Sequence, residues 1–90
     1  MSQAAPTGII VYSTRWCGDC RRSKRWLDEH GVAYTNIDID QDAAAAEYVR
    51  SVNDGNQAVP TIVFPDGSIL VEPSNTALAA QVEKLSDAQQ

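Results

Sequence analysis

The sequence contains few of the residues on which cross-linked and metal-stabilised small proteins depend. Its 90 residues include two cysteines and one histidine, whereas a structural zinc site needs four such ligands. The longest apolar run covers only residues 8–12, far short of the roughly 20 residues of a membrane-spanning helix, and no basic and apolar leader opens the chain. We therefore expect a soluble, cytoplasmic protein with no membrane contact and no resident metal.

The length and composition indicate one globular domain. A second core would leave fewer than about 50 residues for each half of the chain. A hydrophobic content of 43% and a charged content of 21% are ordinary for folded domains. We expect a single domain over residues 1–90, with its core over about residues 8–85 and with flexible ends, and we expect a monomer.

The charge is distributed unevenly along the chain. A net charge of -5 argues against binding to nucleic acid or to an anionic membrane, because both attract basic surfaces. Residues 15–25 nevertheless hold five of the seven basic residues and carry a net charge of +4, so that the rest of the chain carries -9. This basic stretch is either a solvated helix face or a positive patch around the two cysteines that it brackets.

Hydrophobic periodicity predicts an α/β fold. Strands are predicted over residues 9–12, 33–39, 61–64 and 69–71, and helices over residues 18–30, 42–52 and 74–85. In the second helix, one apolar face should contain Ala45, Tyr48, Val49 and Val52. Strands one and two should be parallel, and strands three and four should form an antiparallel hairpin. We expect a four-stranded mixed sheet in the order two, one, three, four.

The two cysteines follow the first predicted strand, at the sheet edge where open α/β folds bind ligands. Cys17 and Cys20 form a C-x-x-C motif, which places them one helical turn apart and within the separation that a disulfide tolerates. Cys17 should lie at the helix N-terminus, where free amides, Arg21 and Arg22 favour a thiolate. Cys17 is therefore the candidate nucleophile, and Cys20 is the candidate resolving thiol.

Other uses of the cysteine pair require partners that the sequence does not place nearby. Zinc would need further ligands, and His30 stands alone. An exported structural disulfide or an iron-sulfur cluster shared between two chains are the remaining alternatives. A C-x-x-C motif after the first strand of a βαβ pattern favours redox exchange over each of them.

A second motif, Val59-Pro60, precedes the third predicted strand. If this peptide bond were cis, the turn would expose the backbone N–H and C=O of Val59 to an extended thiol compound. Cis bonds are a small minority even before proline, so the residues alone predict the trans form.

These features together resemble the glutaredoxins, which have the thioredoxin-like fold. The shared features are C-x-x-C after strand one, Val-Pro before strand three and a binding loop before the last helix, over about residues 9–85. Residues 44–74 are most similar to the mycoredoxins, actinobacterial relatives that reduce disulfides made with mycothiol. The resemblance implies that Cys17 attacks a mixed disulfide, that Cys20 is resolving or dispensable, and that the bond before Pro60 is cis.

The resemblance also implies the partners of the reaction. The expected substrates are proteins in mixed disulfides with a small thiol, mycothiol or glutathione, which serves as co-substrate without any tightly bound cofactor. An NADPH-dependent disulfide reductase would close the cycle. The residues expected to bind the small thiol are Arg15, Trp16, Val59, Pro60, Ser74 and Asn75.

Some positions depart from the pattern of glutathione-using glutaredoxins. Those proteins carry a lysine where this chain has Thr14, and a Gly-Gly pair where it has Glu72 and Pro73. Both differences favour another small thiol. The Trp-Cys-Gly sequence that begins at Trp16 is also a thioredoxin feature, so a general protein-disulfide reductase or electron donor of thioredoxin type remains an alternative, as does an iron-sulfur-binding glutaredoxin.

Overall fold

The computed structural model describes residues 6–88, which form four strands and three helices. Residues 1–5 and 89–90, on which part of the prediction of flexible ends falls, lie outside the described residues. In chain order the elements are β1 (Ile10–Ser13), α1 (Gly18–Glu29), β2 (Thr35–Asp38), α2 (Ala43–Val52), β3 (Thr61–Val63), β4 (Ile69–Val71) and α3 (Asn75–Ala88).

The strands form one mixed sheet in the order β2-β1-β3-β4, as predicted. Strand β1 pairs in parallel with β2 and antiparallel with β3, so that Tyr12 lies opposite both Ile37 and Thr61. Strands β3 and β4 form the expected hairpin. Its turn is closed by the Gly67 N–H, which donates to Phe64 O at 2.9 Å. The carboxyl end of β1 therefore lies at the centre of the sheet edge and leads directly into the cysteine motif.

Side chains at the helix ends explain where the helices begin and stop. The carboxylate of Asp42 accepts from the Ala45 N–H at 3.0 Å, and the Ser74 hydroxyl accepts from the Ala77 N–H at 3.1 Å. Each of these N-caps satisfies a backbone donor that has no partner within its own helix. Helix α1 ends before Gly31, which has a φ of +66° and so adopts the left-handed conformation that favours glycine.

Two apolar clusters hold the elements together, because successive side chains of a strand point to opposite faces of the sheet. The first cluster joins the sheet to α1 and α3, and it consists of Ile9, Val11, Leu27, Val32, Ile62, Phe64, Leu78, Val82 and Leu85. The second includes α2 and both cysteines, and it consists of Cys17, Cys20, Ile39, Ala45, Ala46, Val49 and Val59. The candidate nucleophile is thus supported by the core rather than carried on an independent loop.

The structure corrects three details of the sequence-based prediction. Val52 was expected on the buried face of α2, but it is the last residue of that helix and is 37% exposed. The second strand was expected over residues 33–39, but β2 covers only Thr35–Asp38, and Thr35 lies exposed at its start. Ser86 was expected in a fraying tail, whereas α3 continues to Ala88 and Ser86 is buried. None of the helices between residues 6 and 88 is long and apolar enough to cross a membrane.

Replacing the N-cap of α2 should destabilise the protein. We expect Asp42→Ala to lower the free energy of unfolding by about 1 kcal/mol, because the Ala45 N–H loses its acceptor. Chemical denaturation followed by circular dichroism measures the change. The matched control is Gln41→Ala, an exposed neighbour outside the helix. Equal stability of the two variants would contradict the capping role.

Candidate active site

Cys17 occupies the N-cap position of α1. The chain leaves β1 at Ser13 and turns through residues 14–16, after which Cys17 adopts an extended backbone with φ -89° and ψ 114°. Its Sγ accepts a hydrogen bond from the Cys20 N–H at 3.1 Å. A backbone donor directed at this sulfur, together with the positive end of the helix dipole, stabilises the negative charge of an attacking thiolate.

The opposite side of the Cys17 sulfur faces the loop before β3. The thiol donates to the carbonyl oxygen of Val59 at 3.6 Å, and the Val59-Pro60 peptide bond is cis. The resemblance therefore predicted this bond correctly, whereas the general rarity of cis bonds did not. Cys17 is only 8% exposed, so a reacting sulfur must approach through the gap between α1 and this loop.

Cys20 lies one helical turn further on, in a different environment. Its side chain is 0% exposed, and both thiols are free. Burial, followed by the hydrogen bond to Cys17, raises the pKa of Cys20 from 9.0 to about 12. Cys20 is consequently a protonated thiol at neutral pH, and the two cysteines are chemically distinct although they share one motif.

An open cavity of about 530 Å³ lies beside Cys17, a size typical of small-molecule sites. Its lining residues are Trp16, Cys17, Gly18, Asp19, Gln57, Ala58, Val59 and Glu72. The charged residues in this lining are Asp19 and Glu72, and the lining contains no lysine or arginine. The cavity is therefore large enough for a small molecule next to the sulfur, and none of its lining residues is basic, while Arg22 pairs with the Asp19 carboxylate at 3.3 Å.

Trp16 and Val59, two of the predicted thiol-binding residues, lie in this lining together with Cys17. The Trp16 side chain is 71% exposed. Its Nε1 donates to the Asp40 carboxylate, beyond the end of β2, at 3.1 Å. This contact connects the indole to the end of the neighbouring strand, so that it forms one wall of the cavity.

The other four predicted thiol-binding residues lie around the cavity rather than in its lining. The Arg15 carbonyl accepts from the Arg21 side chain at 3.0 Å, and the carbonyl of the buried Pro60 accepts from the Glu72 N–H at 2.9 Å. Ser74 caps α3, and the Asn75 side chain accepts from Arg22 at 2.9 Å. These contacts hold the surrounding loops, and a direct role in binding the thiol stays a prediction.

Asp19, Gln57, Ala58 and Glu72 line the cavity but were not among the predicted binding residues. Gln57 and Ala58 directly precede the Val-Pro motif. That motif was the available signal, because it indicates that the whole loop lies close to Cys17. Glu72 stands where glutathione-using glutaredoxins carry a Gly-Gly pair, and this difference was a signal that Glu72 lies at the binding site. Within residues 6–88 no group of three or more His, Cys, Asp or Glu side chains is placed to hold a metal ion.

The chain matches the family model described as Glutaredoxin over residues 9–69. It is 45% identical over 78 residues to a protein of Mycobacterium tuberculosis H37Rv that bears the name glutaredoxin, covering 87% of this chain and 93% of that protein. It is 41% identical over 80 residues to Mycoredoxin 1 of Corynebacterium glutamicum, covering 89% of this chain and 99% of that protein.

Solved structures show the same architecture. The thioredoxin-like protein BC3987 superimposes with a TM-score of 0.72 at 30% identity, covering 81% of this chain and 97% of that one. A glutaredoxin from Archaeoglobus fulgidus superimposes with a TM-score of 0.65 at 22% identity, covering 80% of this chain and 82% of that one. These similarities confirm the thioredoxin-like fold that the resemblance to the glutaredoxins implied.

The different environments of the two thiols should appear in alkylation. We expect iodoacetamide at neutral pH to add one group per native chain, on Cys17, because Cys20 is buried and its pKa is raised to about 12. Peptide mass spectrometry locates the adduct, and the denatured protein serves as the control in which both thiols react. Equal labelling of both cysteines in the native protein would refute this distinction.

Stability should also depend on the proton of Cys20. A raised pKa means that the native state holds this proton more tightly than the unfolded state does. The resulting stabilisation is full below pH 9.0 and is lost as the pH rises toward 12. The stability difference between wild type and Cys20→Ser, measured by denaturation, should therefore shrink across the alkaline range. A constant difference would contradict the raised pKa.

Proposed function

Given that this chain belongs to the glutaredoxin family, we propose that it reduces mixed disulfides between proteins and a small thiol of the mycothiol type. It is a thiol-disulfide oxidoreductase, as its glutaredoxin homologues are. The observation that carries the proposal is the position of Cys17, whose sulfur caps α1 and borders a cavity of small-molecule size. We propose Cys17 as the nucleophile and Cys20 as the second thiol of the centre.

The first step transfers the small thiol from the substrate protein to the enzyme. The Cys17 thiolate attacks the small-thiol sulfur of the mixed disulfide, forming a new Cys17-sulfur bond as the old disulfide bond breaks. The substrate cysteine leaves as a thiolate and takes up a proton, so the protein is reduced while Cys17 becomes oxidised. The Cys20 N–H that contacts the Cys17 sulfur supports the anionic form required for this attack.

The second step removes the small thiol from Cys17. A second molecule of small thiol, as a thiolate, can attack the sulfur of the bound small thiol, which forms the symmetric disulfide and releases the Cys17 thiolate. Alternatively, Cys20, as a thiolate, can attack the Cys17 sulfur, which forms the Cys17-Cys20 disulfide and releases the small thiol. Attack by Cys20 is disfavoured because this thiol is buried and, with a pKa of about 12, is protonated at neutral pH. The part of the pKa shift that the Cys17 thiol causes disappears once Cys17 is in a disulfide, but the part that burial causes remains. We therefore propose the external thiol as the principal resolving group.

Three observations support a thiol of the mycothiol type over glutathione. The chain is 41% identical to Mycoredoxin 1 of Corynebacterium glutamicum. Thr14 stands in place of the lysine of glutathione-using relatives. The lining beside Cys17 also contains no lysine or arginine that could pair with the carboxylates of glutathione, whereas mycothiol carries sugar hydroxyls instead.

The cavity walls suggest how the thiol is held. We propose that Trp16 packs along it, and that the Val59 backbone pairs with its extended portion. The buried Pro60 supports the loop, and its carbonyl accepts from the Glu72 N–H. Arg15, Ser74 and Asn75 hold the segments around the cavity and border the bound molecule. No tightly bound cofactor enters this scheme.

We further propose that the protein acts as a monomer in the cytoplasm. An NADPH-dependent disulfide reductase would reduce the small-thiol disulfide, or the Cys17-Cys20 disulfide, and so complete the cycle. The reducing conditions of the cytoplasm maintain the dithiol form that this cycle needs.

Two observations favour a second candidate, direct reduction of protein disulfides. The thioredoxin-like protein BC3987 is similar to this chain at a TM-score of 0.72, and the exposed Trp16 next to Cys17 offers an apolar surface to a protein partner. In that reaction Cys20 would be indispensable, because it must release the reduced partner from Cys17.

Two cysteine variants and two substrates test the proposal. One protein is prepared as a mixed disulfide with mycothiol and with glutathione, and release of each small thiol is followed. We expect wild type to prefer the mycothiol adduct, Cys17→Ser to fall to the uncatalysed rate, and Cys20→Ser to keep most of the activity.

Each contrary result has a distinct meaning. Turnover by Cys17→Ser would exclude the assigned nucleophile, and preference for the glutathione adduct would exclude the mycothiol-type substrate. Loss of activity in Cys20→Ser with retained folding would favour the thioredoxin-type reaction instead.

A further inference from the structure

Glu72 introduces an unusual charge next to the reactive cysteine. Glu72 is one of the residues that line the cavity beside Cys17, together with Asp19, and none of the lining residues is basic. A molecule attached to the Cys17 sulfur therefore occupies a space with two nearby carboxylates. This arrangement opposes the binding of any ligand that is itself negatively charged.

The two carboxylates differ in how far their charge is compensated. The Asp19 carboxylate pairs with Arg22 at 3.3 Å, and the same guanidinium donates to the Pro73 carbonyl at 3.2 Å. Glu72 forms no salt bridge with any residue of the described range 6–88. The uncompensated negative charge in the cavity lining thus belongs to Glu72.

The backbone at Glu72 is also unusual. Its φ is +49°, in the left-handed region that glycine adopts readily and that other residues rarely adopt. The Glu72 N–H donates to the Pro60 carbonyl at 2.9 Å, so this conformation is tied to the loop that borders Cys17. A charged side chain in an unfavourable conformation at a functional cavity suggests a role for the side chain itself.

The next element would attract an anion if Glu72 were absent. Helix α3 begins at Asn75, three residues further along, and helix N-termini favour negative groups. The Ser74 hydroxyl occupies one of its backbone donors. Glu72 adds a negative charge just before this helix start, which counteracts its attraction for a carboxylate-bearing ligand.

We infer that Glu72 is a specificity-determining residue that disfavours small thiols carrying carboxylates and thereby selects neutral, hydroxyl-bearing thiols at Cys17. This inference rests on the proposed function, because it explains how the mycothiol-type substrate would be distinguished from glutathione. It concerns discrimination between thiols, so Glu72 need not take part in the exchange of sulfur bonds.

The test compares Glu72→Gln with wild type on the mycothiol and glutathione adducts of one protein. Glutamine keeps the size and the strained backbone and removes only the charge. We expect the ratio of kcat/KM for the glutathione adduct to kcat/KM for the mycothiol adduct to rise roughly threefold to tenfold, the order expected when one like charge is removed. In wild type, added salt should weaken the discrimination, because exposed charges are screened.

Two further variants separate local charge from other effects. Glu83→Gln removes an exposed carboxylate on α3, outside the cavity lining, and should leave the ratio of the two kcat/KM values unchanged. Glu72→Gly removes the charge and relieves the backbone, and it should match Glu72→Gln. A changed ratio in Glu72→Gly alone would show that backbone conformation, not charge, is responsible, and would overturn the inference.

The outcomes distinguish this inference from the proposed function. Wild-type preference for the glutathione adduct would refute the mycothiol-type substrate and, with it, the selection attributed to Glu72. Wild-type preference for the mycothiol adduct with the same ratio in Glu72→Gln would refute only the role of Glu72.

A second readout does not depend on turnover. Cys20→Ser protein, with and without Glu72→Gln, is equilibrated with each small-thiol disulfide, and the Cys17 adduct is quantified by mass spectrometry. The glutathione adduct should increase when the charge is removed, and an unchanged adduct fraction would overturn the inference even if catalysis were absent.

Discussion

The hydrogen bond from the Cys20 N–H to the Cys17 sulfur is the contact on which the rest of the site depends. It makes the side chain of Cys17, the proposed nucleophile, the N-cap of α1, so the sulfur is placed by the helix start. The helix start is in turn placed by β1, which pairs with β2 on one side and with β3 on the other. The position of the sulfur therefore follows from a strand in the interior of the sheet.

The same hydrogen bond also gives the two cysteines different environments. Capping directs Cys17 toward the loop at Val59, while one turn of helix carries Cys20 into the apolar cluster that includes Ile39 and Val49. Burial in that cluster raises the pKa of Cys20 to about 12. A single C-x-x-C motif thus yields one thiol at a cavity and one protected thiol, an asymmetry that suits exchange with an external small thiol.

The order of elements was predictable because it depends on local periodicity and on end signals. Gly31, Asp42 and Ser74 end or begin helices through their own backbone preferences or side-chain oxygens, so their roles could be assigned before any contact was known. The errors occurred where burial depends on neighbours distant in sequence. Val52 carries the apolar character of a buried residue, yet it is exposed, and Ser86 is buried although it is polar.

The fold class, the sheet order and the choice of both cysteines as the candidate centre could be predicted from the residues alone, because periodicity, capping residues and motif spacing act over a few neighbouring positions. The residues that surround the sulfur could not be predicted in this way, because they depend on how the elements pack. The tertiary structure brought Gln57 and Glu72 to the same cavity as Cys17, and it placed Ser74 and Asn75 in contacts outside the lining. The charge that a ligand meets beside Cys17 is a sum over residues from three separate segments, and their proximity arises only when the sheet and helices pack together.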